Sequence, residues 1–337
     1  MSVYKFYSPL TSKTIKDLKK VLDRRSRALS VEQQIAFLID FDPNMLQTLD
    51  FQIFCEERHW RKKGRHCIFP RDAEVIDRLL SAEFEAGQLE ALEMPFESFV
   101  IAMPNGYKID GCQIPSCLIT WGDFTRSGEN VMTPFCDAAG LPRMEHSYPT
   151  ATDGQKYVSI VYQDSESSKW SKMLYSRTTL TTNQFKPLLD TRDLDEFSRI
   201  AGNYEKSTFN SILANEPHDQ IIQYNMLKLV LALAIYNQAT DGENLKDGIP
   251  GPGTKLMGMS EGTRPISSTI SMPPLPKRSQ DSPNAHYRRW HFRQLMHERY
   301  YTKENAEKPR GSRWTFVKDA YVMGADDSAH TLDVEQE

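Results

Sequence analysis

The chain has 337 residues, a charged fraction of 26%, and 41 Lys/Arg against 45 Asp/Glu, giving a net charge of −4. That length allows one large or two moderate domains with true hydrophobic cores. The mild net charge argues against a uniformly basic nucleic-acid protein, and the longest apolar run, Leu229–Tyr236, falls far short of the about 20 residues of a membrane span.

Met1–Tyr7 has no signal-peptide core, and five cysteines without a short paired spacing fit a reducing, cytoplasmic setting. Cys112 and Cys117 lack the second pair that a zinc site needs. No metal or other cofactor is expected.

Residues 1–90 read as a helical region. Thr11 or Ser12 is placed to cap a helix whose apolar stripe is Ile15, Leu18, Val21 and Leu22. Ser30 and Gln33 form a capping-box pattern ahead of Ile35, Phe37, Leu38 and Ile39. Pro43 opens a further short helix. Pro70 stands at the start of another, with Asp72 and Glu74 in its first turn, Val75, Ile76, Leu79, Leu80 and Phe84 as its buried face, and Gly87 at its end. The basic piece Arg58–His66 is expected as a solvated loop between two helices, with a second phosphate or acidic-peptide contact as its functional alternative.

Residues 91–239 read as an α+β core. Phe99, Ile101 and Met103 alternate, and Asn105–Gly106 predicts a hairpin to Tyr107–Asp110. Cys117–Trp121 is a third strand, and Tyr157–Tyr162 with Lys169–Tyr175 a further pair. Gly122–Gly154 is polar and turn-rich. Together these predict an antiparallel sheet with long loops. Helices are expected at about 193–214 and Asp219–Ala239. The second is apolar nearly all round, as a helix buried under a sheet must be. The predicted fold class is therefore α+β: a helical N-terminal region, a central antiparallel sheet packed on a long apolar helix, and a C-terminal basic-aromatic β-hairpin.

Residues 240–282 are dense in Pro, Gly and Ser and read as a linker or wrapped loop. Residues 283–324 follow as the basic-aromatic hairpin, with arms at 286–297 and 312–322 and a polar tip at about 302–311; a helix over part of 286–299 is the alternative, since Trp290, Arg293, Met296 and His297 also stand at helical spacing. Residues 325–337 form an acidic tail. From Lys277 to Lys318 there are 11 Lys/Arg against 4 Asp/Glu, a local charge of +7 that leaves −11 for the rest. Arginines interleaved with aromatic rings suit single-stranded nucleic acid or an acidic peptide. The candidate binding residues are Arg288, Arg289, Trp290, His291, Arg293, Arg310, Arg313 and Trp314.

No phosphate-binding glycine loop, dinucleotide fingerprint or nucleophile elbow is present in the sequence. The alternative catalytic reading is a metal-independent ribonuclease, with His291 and His297 as acid and base and Arg289 stabilising the phosphorane charge.

Within 283–324, His286, Arg288, Arg289 and His291 stand in the spacing His-x-Arg-Arg-x-His. An aromatic, a variable loop and a closing strand follow, with Arg313, Trp314, Val322 and Gly324. This segment resembles the C-terminal signature of the second type V-A anti-CRISPR family. Trp290 replaces a small residue of that pattern and Phe292 its usual Trp. Met94–Pro104 resembles the family's proline-bounded strand start, and the apolar helix near 221–239 is a third similarity; loosely, the three span about two thirds of the chain. The resemblance implies a phage or mobile-element inhibitor acting in the bacterial cytoplasm. It would recognise the nascent N-terminus of a CRISPR effector nuclease, or an analogous host defence protein, and promote loss of the mRNA. The implied partners are that nascent chain and the mRNA or ribosome, with no membrane and no small-molecule substrate. The alternative is direct steric inhibition of a host defence protein.

Overall fold

The runs Cys67–Ile68–Phe69 and Phe99–Val100–Ile101 are apolar at every position, and all six residues are fully buried. A strand reads this way when both faces of its sheet are covered. The structure, a computed structural model, describes residues 3–21, 28–41, 49–85, 92–125, 128–129, 132–141, 156–163, 175–181, 217–258, 264–273, 286–288, 291–317 and 320–322.

The elements begin with β1 (Val3–Lys5), α1 (Leu10–Val21), α2 (Val31–Phe41), α3 (Leu49–Lys62), β2 (His66–Pro70), α4 (Ala73–Leu80) and β3 (Glu83–Glu85). Then come β4 (Ser98–Ile101), β5 (Met103–Pro104), β6 (Lys108–Ile109), β7 (Cys112–Gln113), β8 (Cys117–Thr125), β9 (Gly128–Glu129) and α5 (Met132–Ala139). They continue with β10 (Lys156–Gln163), β11 (Tyr175–Thr181), α6 (Pro217–Ala239), β12 (Leu245–Asp247), β13 (Lys255–Met257) and β14 (Ile266–Ile270). The last are β15 (His286–Arg288), β16 (His291–Gln294), β17 (Trp314–Val317) and β18 (Ala320–Val322). The chain is mixed α/β, and no helix among the described residues is long and apolar enough to cross a membrane.

The main sheet runs β11-β10-β8-β4-β2-β14-β12. It is mixed, not antiparallel as expected. The β4–β2 and β2–β14 pairs are parallel, because the chain returns to the sheet through crossovers, α4 lying between β2 and β4. Successive residues of each central strand enter opposite cores. Ile68, Phe99, Ile101, Ile119 and Ile160 meet Ile76 and Leu79 of α4 and Val230 and Leu233 of α6. Cys67, Phe69, Val100, Leu118 and Val161 meet Ile15, Ile35, Phe54 and Phe135 from α1, α2, α3 and α5. Helices therefore cover both faces.

The ends of the N-terminal helices differ from expectation in one case and agree in another. The first turn of α1 is capped not by Thr11 or Ser12 but from α3: Glu57, fully buried, accepts the Leu10 and Thr11 amides at 2.6 and 2.8 Å and the Tyr7 hydroxyl at 2.7 Å. The Ser30–Gln33 capping box is present, with reciprocal bonds of 3.2 and 3.0 Å. Residues 1–90 also carry β1, β2 and β3.

The basic piece Arg58–His66 is no loop between helices. It forms the last turn of α3 and the turn into β2. Gly64, at φ +98°, lets the Arg65 amide reach the Trp60 carbonyl at 3.0 Å, a Schellman closure. Trp60 itself is fully buried. Pro70 ends β2 rather than starting a helix; α4 starts at Ala73, with Asp72 accepting the Val75 amide at 3.1 Å as its N-cap.

Asn105–Gly106 forms no hairpin. Gly106 alone has positive φ, +78°, and the Tyr107 amide bonds the Pro104 carbonyl at 3.1 Å, a type II arrangement whose twist does not suit paired strands. The hairpin lies one turn later. Asp110 and Gly111, at φ +49° and +81°, join β6 to β7. Strand β11 starts at Tyr175, where the expected strand Lys169–Tyr175 ended, and residues 169–174 lie outside the described residues. The stretch Gly122–Gly154 contains α5.

The Pro/Gly-rich stretch after α6 contributes β12, β13 and β14. β14 lies parallel to β2 inside the main sheet, and β13 parallel to β1. The helices expected at Pro43 and at 193–214, the helix end at Gly87 and the acidic tail lie outside the described residues.

Candidate interface for an anionic partner

Strand β16 alternates in burial: Phe292 and Gln294 point inward, Arg293 is exposed and His291 half-buried. It pairs antiparallel with β17 and parallel with β3. Cross-strand partners Phe292 and Phe316 stand 5.9 Å apart, and both rings meet Tyr236 of α6, at 6.1 and 5.5 Å. This three-ring contact fixes the C-terminal lobe on the core. Gln238 adds a bond from its Nε2 to the Ser312 carbonyl at 2.9 Å.

Between β16 and β17 the expected polar loop is an ordered tip with two short 3-10 helices, Glu298–Tyr300 and Lys303–Asn305. The Tyr301 hydroxyl organises it. It donates to the Leu295 carbonyl at 2.6 Å and accepts the Gly311 and Arg313 amides at 2.7 and 3.3 Å. Gln294 Nε2 donates to the Gly311 carbonyl at 2.5 Å, and Gly311 adopts φ +87°. The Arg299 guanidinium lies 4.7 Å over the Tyr300 ring and donates to its hydroxyl at 2.6 Å.

Residues 291–313 carry six Lys/Arg against three Glu. Arg293, Arg299, Lys303, Lys308 and Arg310 are exposed and Arg313 is half-buried. Arg310 donates its Nε to the Met296 carbonyl and its Nη1 to Glu298 at 3.3 Å. Arg313 donates Nη1 to the Tyr300 carbonyl at 2.5 Å. These backbone bonds hold both guanidinium groups at set positions, which lowers the ordering cost of meeting an anion.

The expected site residues divide into three groups. Arg293, Arg310 and Arg313 lie on this lobe, with His291 at the start of β16. Trp314 does not serve as a stacking face: only 5% exposed, it is packed in the core that holds α6. Arg288 lies in β15 opposite Ala320, with its side chain outside the described residues, as are Arg289 and Trp290 entirely. Sequence reading passed over Arg299, Lys303 and Lys308, which the local charge excess contained without ranking.

His297 acts as a cap, its Nδ1 accepting the Arg299 amide at 3.2 Å. It stands in the turn beyond β16, which begins at His291. A role for His297 as acid or base would have to coexist with that cap. No group of three His, Cys, Asp or Glu among the described residues is arranged to hold a metal. Compared with known proteins, no protein-family profile, curated sequence or solved structure matches the chain. The anti-CRISPR resemblance thus rests on the sequence segments quoted for it alone.

Proposed function

We propose that this is a binding protein, of a phage or other mobile element, that docks on an anionic partner through the 291–313 lobe and blocks the synthesis of a host defence protein. The observation that carries the docking half is the set of five exposed cations on the 291–313 lobe, whose tip is braced by Tyr301, Gln294 and Gln238. The His-x-Arg-Arg-x-His spacing supports the target class. On this reading the partner is a translating ribosome bearing the nascent chain, with the mRNA supplying phosphates, which cations meet without reading sequence. Transcript loss then follows from recruitment, with no catalytic step assigned to this chain.

The test is a pull-down from translating cells, with and without ribonuclease, sequencing bound protein and bound RNA. Ribosomes with one enriched transcript support the proposal and name the target. A single mature protein retained after ribonuclease would replace it with direct steric inhibition. Arg293→Ala combined with Arg310→Ala should weaken capture about tenfold or more while the melting temperature stays within a few degrees, since both side chains are exposed.

A further inference from the structure

The basic piece that ends α3 carries charge that the fold does not use up. Arg58, Arg61 and Lys62 stand at i, i+3 and i+4 and so share one face of the helix. Arg58, largely buried, is committed. Its Nε donates to Glu32 of α2 at 2.8 Å, and its guanidinium lies 5.7 Å from the centre of the Phe135 ring. Arg61 is half-buried and donates Nη2 to the exposed Ser12 hydroxyl of α1 at 3.2 Å. Lys62 is exposed. Neither Arg61 nor Lys62 is in an ion pair among the described residues.

The three side chains line a cavity of about 170 Å³ where α1, α2, α3 and α5 meet. Val31 and Glu32, the first two residues of α2, line it too, so the positive end of that helix borders the cavity. Glu32 is the single acid of the lining. Burial pushes its carboxyl up, but the Arg58 bond, its own backbone amide and the charges of Arg58 and Lys62 together hold it below the usual carboxylate value. The lining therefore sets three cations against one ionised acid, a net +2. The cations with open surface to offer an occupant are Arg61 and Lys62.

The volume is close to the roughly 150 Å³ that admits one benzene, and below the about 300–1,000 Å³ usual for drug-sized ligands. The occupant is therefore one small group. A phosphomonoester carries about −1.5 to −2 at neutral pH and matches the lining. A carboxylate or a phosphodiester, with one charge, leaves half of the excess unmet.

We propose that this cavity binds a phosphate dianion, free or as the terminal group of a small phosphomonoester. Arg61 and Lys62 donate to its oxygens, and Glu32 stays with Arg58. The site shares no residue with the 291–313 lobe and does not depend on the function proposed for it.

The experiment is calorimetric titration of the full chain, in phosphate-free buffer, with inorganic phosphate, glycerol phosphate and acetate. Wild type should bind one of the two phosphates saturably, and acetate about tenfold more weakly or not at all. Tighter binding of glycerol phosphate identifies the ester as the occupant, and tighter binding of inorganic phosphate the free anion. Arg61→Gln with Lys62→Gln should lose binding about tenfold or more while the melting temperature stays within a few degrees. Glu32→Gln keeps an acceptor for Arg58 and removes the one acid, so it should bind about threefold or more tightly. Absence of saturable binding of either phosphate to folded wild type overturns the proposal. So does unchanged binding by the Arg61/Lys62 double variant, or loss of binding in Arg293→Ala with Arg310→Ala, which would move the anion to the lobe.

Discussion

Glu57 caps a helix to which it does not belong: from α3 its Oε2 accepts the backbone amide of Thr11, the second residue of α1, at 2.8 Å. Its other oxygen takes the Leu10 amide and the Tyr7 hydroxyl. The helix start is a region of positive potential, so a carboxylate is the suitable group. Burial pushes the Glu57 carboxyl up, and the bonds from Thr11, Tyr7 and Leu10 work against that rise. Glu57→Ala strands three buried donors and should cost about 3 kcal/mol or more. The urea midpoint measures it, and a loss under about 1 kcal/mol would show that water replaces the carboxylate.

One residue earlier, Glu56 is fully buried and pairs with Arg177 of β11 through Nη2 at 2.9 Å and Nε at 3.3 Å. Gln52 takes the Nη1 of the same guanidinium at 3.1 Å. Removing one partner leaves the other charge buried. Arg177→Met should therefore destabilise by about 3–5 kcal/mol. The double variant with Glu56→Leu should recover most of that loss. A double variant as unstable as the single one would refute a charge-burial origin.

His59, on the same helix, has its imidazole pKa lowered by burial, with Glu56 and Glu97 opposing. The unfolded chain takes a proton near 6.5, and the folded chain only at lower pH. Between the two values the unfolded state binds more protons, so this residue's contribution is intact above 6.5 and is lost as pH falls from there through the lower folded value. The melting-temperature advantage of wild type over His59→Gln should shrink from about pH 7.5 to about 5.5. An advantage that grows on acidification would mean the charged form is the favoured one.

Tyr301→Phe removes one hydroxyl that serves the Leu295, Gly311 and Arg313 backbone groups. The expected loss is about 1–3 kcal/mol. It should be local: amide exchange at Gly311 and Arg313 should speed up while that of α6 stays unchanged. Uniform acceleration would instead make the tip part of the global folding unit.

What could be read in advance was local. The Ser30–Gln33 box, the runs of β4, β8 and β10, and the all-round apolar composition over 219–239 each depend on neighbours in sequence. What could not be read depends on distant partners. Nothing near Thr11 says that α1 is capped from α3. Nothing in Ile266–Ile270 says that this strand, set in Pro/Gly-rich chain, lies beside β2. Arg58–His66 read as a charged loop because its basic residues concealed the buried Trp60. At the candidate interface, composition marked the charge excess that the 291–313 lobe carries. It could not say that Trp314 turns inward, because strand alternation leaves the choice of face to the partner layer.

The pairing of β14 with β2 has a consequence for the order of events during synthesis. Each residue of β2 faces one made 200 positions later, as His66 faces Ile266. At the usual rate of about 5–20 residues per second, β2 waits about ten seconds or more with one edge unpaired. Its sequence, His-Cys-Ile-Phe-Pro, is apolar enough to seek any other strand in that interval. A chain released before β14 emerges keeps that edge open. Such fragments should be recovered as aggregates or in chaperone complexes, and adding residues up to 270 should mark a sharp gain in soluble yield.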